Sequence, residues 1–269
     1  MNTPVLSIQD LSVSFHDQLV VQNLNLRVEK GKTTAIVGES GSGKSVTALA
    51  VLGLLPKTAK VTGEIHFENE QLLSLAHRRM RLIRGNKIAM IFQEPMTSLN
   101  PVFTVGEQIE DVVRVQKRTS RKASKVKTHQ LLEEVGIDER RVHAYPHEFS
   151  GGMRQRVMIA MALANEPTLL IADEPTTALD ATTARQIVAL LIAAKRRREM
   201  SMLFISHDLG VVASVADQIY VMRFGHHIEH GTPKQVLYNP TTAYTKALLA
   251  CRPSILNRQR RLKSVPDDL

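Results

Sequence analysis

The chain contains no tryptophan, and phenylalanine and tyrosine bring its aromatic share to only 4%. That scarcity argues against a surface on which successive nucleobases stack, because such a surface is built from aromatic rings. There is a single cysteine, Cys251, so no internal disulfide forms and a reducing compartment is expected. No uninterrupted apolar run approaches the roughly 18–20 residues of a membrane-spanning helix. The longest, such as Ile187 to Ala194, has the length of a buried helix. The opening MNTPVLSIQD lacks the basic-then-apolar layout of a secretion signal, and a cytosolic protein is expected. Neither a repeat nor a low-complexity segment interrupts the chain.

What is present is a chain of 269 residues, 43% of them hydrophobic, which is enough to bury a sizeable core. The formal charge is +9, and basic residues cluster at Arg78-Arg79-Met80-Arg81, Lys117 to Lys127, Lys195 to Arg198 and Arg258 to Lys263. Each cluster reads most simply as a solvated helix face; anionic lipid headgroups and nucleic acid are the alternatives.

The first thirty residues read as β-structure, with Leu6, Ile8, Leu11, Val13 and Phe15 near alternation and Leu24, Leu26 and Val28 strictly alternating. Glu29 to Lys32 is a turn, and Thr33 to Val37 a short buried strand. A helix is expected from Ser45 to Leu55, ended by Pro56, and Ile65 with Phe67 points to another strand pair. Lys87 to Phe92, Thr168 to Ala172, Met202 to Ser206 and Gln218 to Met222 read as further strands. Helices are expected over Lys122 to Val135, Gly152 to Leu163, Thr182 to Arg198 and Leu209 to Ala216. Strands alternating with helices imply a mainly parallel sheet covered on both faces. The mostly helical stretch 94–165 reads as a subdomain inserted into that core. Gly231-Thr232-Pro233 closes it, ahead of two short helices and a basic, mobile end over 234–269.

Gly38-Glu39-Ser40-Gly41-Ser42-Gly43-Lys44-Ser45 lies between strand and helix and matches G-x-x-x-x-G-K-[ST]. Such glycines let the backbone form a nest of N–H groups for phosphate oxygens, and the helix that begins near Lys44 adds its positive end. Lys44 is expected on the β- and γ-phosphates, and Ser45 Oγ on Mg2+. Leu169 to Ala172 is an apolar strand that runs into Asp173 and Glu174. Asp173 suits the metal through its water shell, and Glu174 suits a general base that polarises the attacking water. Gln93 and His207 stand at two other strand ends, where ligands of open α/β sheets bind. Taken alone, each is an ordinary surface residue. Together they fit a metal or water ligand (Gln93) and a γ-phosphate donor (His207). Ser150-Gly151-Gly152 is a second anion nest ahead of a helix, although on its own Ser150 reads more simply as an ordinary N-cap with flexible glycines.

In combination these motifs resemble those of the ATP-binding subunits of ABC transporters, over nearly the whole chain. GESGSGKS is similar to the Walker A motif and LLIADEP to Walker B. FSGGM (149–153) resembles the LSGGQ signature, TTALD (176–180) the D-loop, Gln93 the Q-loop and His207 the switch histidine. The resemblance implies an α/β P-loop NTPase core with a mainly parallel sheet, an N-terminal antiparallel β subdomain and an inserted α-helical subdomain. The nucleotide-binding domain spans 1–233. The implied catalytic residues are Glu174, His207 and Gln93, and the implied metal ligands Ser45, Gln93 and Asp173. ATP is assigned to Phe15, stacked on adenine, to Gly38 through Val46, and to Ser150, Gly151, Gly152 and Asp180. The resemblance further implies that two cassettes meet head to tail, so that Ser150, Gly151 and Gly152 of one cap the ATP on the other's P-loop. Phe149 and Met153 depart from the usual Leu and Gln, and Met153 cannot hydrogen-bond as Gln does.

Gly38 to Ala50, Ile91 to Pro101 and Ala243 to Pro253 resemble the subfamily that imports oligopeptides, dipeptides, glutathione or nickel. That implies a peripheral protein on the cytoplasmic face of the membrane. Its partners are integral-membrane permease subunits, a second ATPase subunit and, indirectly, an extracytoplasmic solute-binding protein, with no nucleic acid. Some relatives carry a cysteine cluster for iron–sulfur in this tail; Cys251 stands alone here. The alternatives are a soluble ABC ATPase that acts on nucleic acid or ribosomes, and a small-molecule P-loop kinase. The second nest and lone His207 speak against the kinase.

Overall fold

The computed structural model describes residues 4–94, 98–117 and 119–251. The basic run Arg258 to Lys263 expected to be mobile lies outside the described residues, as do the end of the 243–253 stretch and part of 91–101.

Two twelve-residue strands, β1 (Pro4–Phe15) and β2 (Gln18–Glu29), pair antiparallel. His16 and Asp17 join them, both at positive φ (47° and 67°), as a two-residue hairpin turn requires. β4 (Ala59–Phe67) pairs antiparallel on the other edge of β1, and the short β5 (Glu70–Gln71) completes a sheet ordered β2-β1-β4-β5. The second sheet is ordered β10-β9-β3-β8-β7-β6. Its members are β3 (Thr33–Val37), β6 (Ile88–Ile91), β7 (Leu169–Asp173), β8 (Ser201–Ile205), β9 (Gln218–Arg223) and β10 (His226–Gly231). All its pairings are parallel except β9 with β10. β10 was not foreseen. It is polar (HHIEHG), and its pairing follows from Phe224-Gly225, both at positive φ, rather than from an apolar pattern.

Every residue of β3, β7 and β8 is buried, as central parallel strands require. Their side chains alternate between two cores. Ala35, Leu170, Ala172, Met202 and Phe204 join one, and Ile36, Leu169, Ile171, Leu203 and Ile205 the other. The second core is closed by the antiparallel sheet together with α1 (Lys44–Val51) and α2 (His77–Ile83). The first is closed by α3 (Val105–Lys117), α4 (Arg121–Glu134) and α5 (Gly151–Leu163), all inserted between β6 and β7, and by α6 (Ala181–Arg198) and α7 (Leu209–Val215). α8 (Pro233–Tyr238) and α9 (Ala243–Ala250) follow the sheet.

α1 stops at Val51 rather than at Leu55. Gly53 turns to φ +57° and the Leu54 N–H bonds back to Leu49 O at 2.9 Å. Such a left-handed glycine ends the helix before Pro56 is reached. α2 shows in the sequence only as a basic cluster, because Met80 and Ile83 alone are buried along it, too few apolar positions to make a period. Because β3, β6, β7 and β8 run parallel, Gly38, Gln93, Glu174 and His207 all lie at or just beyond the same edge of the sheet.

Candidate functional site

The chain leaves β3 at Val37 and enters α1 at Lys44 through a turn that admits only glycine at two points. A Cβ on Gly38 (φ +156°) would lie 2.2 Å from Met222 O, and one on Gly43 (φ +95°) 2.8 Å from Val20 O. The N–H groups of Gly41, Gly43 and Lys44 have no acceptor among the described residues. They form a cradle of donors at a helix start, which suits an anion. Lys44 is buried, and its Nζ donates to Gly38 O (2.8 Å) and Glu39 O (2.7 Å), with Ser42 Oγ at 3.4 Å. Burial pushes the ammonium below its ordinary value, against the pull of Glu174, Asp173 and Glu39; a polyanion in the cradle opposes that shift.

Across the cradle, Ser45 Oγ donates to Asp173 Oδ1 at 3.0 Å. Asp173 closes β7 with 4% of its surface exposed. Burial raises its carboxyl above the ordinary range, the Ser45 hydroxyl opposes this, the Glu174 charge adds to it and Lys44 opposes it. Among the described residues no group of three or more His, Cys, Asp or Glu could hold a metal. A serine hydroxyl beside a buried carboxylate is instead a partial set of hard oxygens. It fits Mg2+, which takes one or two protein oxygens and completes its shell with phosphate and water.

Glu174 turns the chain at φ +46°, and its side chain is only 12% exposed. Three donors meet on Oε2: the Thr177 hydroxyl at 2.8 Å, His207 Nδ1 at 3.1 Å and Gln93 Nε2 at 3.3 Å. An ionised carboxylate only accepts, so His207 carries its proton on Nδ1 in this arrangement. Val20, Ser40, Gly41, Gly43, Lys44, Ser45, Val46, Gln93 and Glu174 line one cleft. Val20 and Thr177 were not foreseen. Val20 arrives from the other sheet, and Thr177 carried only the faint signal of a hydroxyl three residues beyond a carboxylate. Phe15, at the end of β1, is half-buried against the second core and does not line the cleft.

Ser150, Gly151, Gly152 and Asp180 are likewise absent from the cleft lining. Ser150 caps α5, its Oγ accepting the Met153 N–H at 3.3 Å. Asp180 caps α6: Oδ1 accepts from the N–H groups of Thr182 and Thr183, each at 3.0 Å, and Oδ2 from Thr183 Oγ1 at 2.6 Å. These bonds hold its carboxyl below the usual range. Thr183 also joins the two caps. A Cβ on Gly152 would lie 2.4 Å from its Cγ2, so glycine there is required by the approach of α5 to α6. The two departures from the signature share one neighbour. The Arg141 guanidinium sits 4.6 Å over the Phe149 ring, donates to Glu148 O and lies 3.8 Å from Met153 Sδ.

The model of the ABC transporter family matches residues 21–177. The chain belongs to the ABC transporter family. The oligopeptide transport ATP-binding protein OppD of Bacillus subtilis is 47% identical over 98% of this chain and 76% of its own length. The peptidoglycan transport ATP-binding protein YejF of Agrobacterium fabrum is 51% identical over 93% of this chain. The glutathione import ATP-binding protein GsiA of Salmonella choleraesuis is 48% identical over the same share. The chain spans less than half the length of these last two, 47% and 42%. Among solved structures, the ATP-binding cassette MJ0796 bound to ADP and Pi in a dimeric post-hydrolysis state superposes with a TM-score of 0.76 at 27% identity, over 85% of this chain and 98% of that one. CbiO1 of Clostridium perfringens, part of an ABC transporter complex, gives 0.77 at 26% identity over 88% and 91%. The fold is that of an ABC ATPase cassette, an α/β P-loop core with an antiparallel N-terminal sheet.

Proposed function

We propose that this chain is the ATP-hydrolysing subunit of an importer of small peptides, driven by ATP-dependent closure of two cassettes. The observation that carries this reading is the meeting of Lys44, Ser45, Asp173, Glu174, Gln93 and His207 at one edge of the parallel sheet. The loop amides and Lys44 bind the triphosphate, Lys44 exchanging the carbonyls of Gly38 and Glu39 for phosphate oxygens. Ser45, Asp173 and Gln93 would hold Mg2+, which when bound would neutralise charge on the phosphates. Glu174 takes a proton from the attacking water, and His207 turns its donor from Glu174 to the γ-phosphate. The names of OppD and GsiA support peptide-class cargo. No helix among the described residues is long and apolar enough to cross a membrane. The import reading gives the channel to permease subunits, against which this cassette docks peripherally on the cytoplasmic face.

Ser150, Gly151 and Gly152 then act in trans, on ATP held by a second cassette. ATP favours the closed pair because it binds both halves at once, and hydrolysis removes that preference. Single-turnover hydrolysis in mixed dimers tests the arrangement. With Lys44→Ala and Ser150→Ala on different chains, both lesions fall in one composite site and the other site keeps turning over. With both on the same chain, each site is damaged and turnover is lost. The opposite pattern overturns the trans assignment. Accumulation of labelled dipeptide in cells that also carry the co-purifying membrane subunits, absent with Glu174→Gln, tests the import reading.

A further inference from the structure

We infer that Thr177 is a positioning residue for Glu174, its hydroxyl fixing which carboxylate oxygen is left to accept the proton from water. This rests on the role proposed for Glu174. The turn that leaves β7 brings Thr177 back on the carboxylate: Glu174 stands at φ +46°, and the Thr177 N–H donates to Glu174 O at 3.1 Å. In that turn Thr177 Oγ1 makes the shortest of the three contacts to Oε2, 2.8 Å, against 3.1 Å for His207 and 3.3 Å for Gln93. Oε1 has no donor among the described residues, in a side chain that lines the cleft.

The three anchors differ in how firmly they are held. Gln93 is exposed, and the His207 side chain is 61% exposed. Both belong to strand-end segments that a bound nucleotide can draw away from Glu174. Thr177 is partly buried and tied to Glu174 by its own backbone. It therefore keeps the carboxylate oriented when the other two turn to the phosphate and metal. A general base placed within a few tenths of an ångström works by geometry first.

The test is hydrolysis and nucleotide affinity of the full chain, purified with the cassette that accompanies it, in three variants. Thr177→Val keeps the shape and removes the donor. It lowers kcat about ten-fold or more, the loss set by one hydrogen bond to a charged group, while the affinity for ATP changes less than two-fold. Thr177→Ser restores the donor and recovers most of kcat. Turnover of Thr177→Val within two-fold of the parent overturns the inference. So does a Thr177→Ser loss as deep as that of valine, which marks a packing role. Glu174→Gln separates this from the parent reading: if it hydrolyses ATP near the parent rate, the base assignment itself fails. If it is inactive while Thr177→Val is not, only Thr177 loses its role.

Discussion

Asp173 and Asp180 stand at the two ends of one short loop and are electrostatic opposites. Burial and the neighbouring Glu174 hold Asp173 above the ordinary carboxyl range, with the Ser45 hydroxyl and the Lys44 charge only partly offsetting them. Asp180 is exposed and held below that range by two backbone amides and a hydroxyl. The same contrast separates two regions of the molecule. In the cleft, polar groups from remote parts of the chain meet (Ser45 with Asp173, Gln93 with Glu174, Glu174 with His207), and the buried Lys44 and Asp173 are under-compensated. At the starts of α5 and α6, the side chains of Ser150 and Asp180 accept only from residues two or three positions on, so these acceptors are engaged within the chain. The first region is built to receive charge. The second is built to hold its shape.

The largest expected effect lies in the first region. Glu174→Gln keeps the hydrogen-bonding shape and removes the proposed base, so phosphate release is expected to fall about a hundred-fold or more while ATP binding, read by nucleotide fluorescence, persists. Binding lost along with hydrolysis would mean that Glu174 holds the cleft together rather than acting on water. Gly43→Ala attacks the cradle: its Cβ lies 2.8 Å from Val20 O, and the left-handed backbone adds about 1–2 kcal/mol of strain. ATP affinity drops at least ten-fold and the urea midpoint of unfolding falls. Normal affinity would show that this close approach does not shape the loop.

Smaller effects sharpen the contrast between the two carboxylates. Above its ordinary value an ionised Asp173 opposes folding, and the penalty grows as pH rises through the raised value. Asp173→Asn therefore raises the melting temperature of the nucleotide-free protein at pH 7 while abolishing Mg2+-dependent hydrolysis. Asp180→Asn lowers the melting temperature, since a well-capped anion is lost. Both moving the same way would collapse the distinction.

Glu229 extends the second class. Burial pushes its carboxyl up, but the amides and hydroxyls of Thr241 and Thr242, with Thr245, outweigh it and hold it at about 2. Its stabilisation is complete above the ordinary value of 4.5 and is lost as pH falls through about 2. Glu229→Gln costs roughly 1–2 kcal/mol at pH 7 and flattens the loss of stability between pH 5 and 2, measured by urea unfolding.

Legibility in the sequence follows the range of the interactions. β3, β7 and β8 were readable because a strand buried on both faces must be an apolar run, and the loop after β3 because only glycines tolerate its path. α4 through α7 showed their periods within a residue or two. β10 and α2 were hidden, since one is a polar edge strand and the other buries only Met80 and Ile83. Strand ends flagged Gln93, Glu174 and His207 one by one, yet nothing in their spacing says that Gln93 and His207 meet on one oxygen of Glu174; nothing marks Val20, and Thr177 shows only a hydroxyl three residues beyond that carboxylate. Gly152 shows the reverse: its motif pointed to an anion, and packing against Thr183 is a second demand that only the fold reveals.

Residue order alone determined the architecture, the phosphate cradle and the list of groups able to do chemistry, because burial periodicity and backbone freedom are properties of short stretches. Tertiary structure decided which of those groups share a charge environment. Desolvation and hydrogen bonds between Ser45 and Asp173, or between Gln93, Thr177, His207 and Glu174, exist only after the sheet has brought distant strand ends side by side.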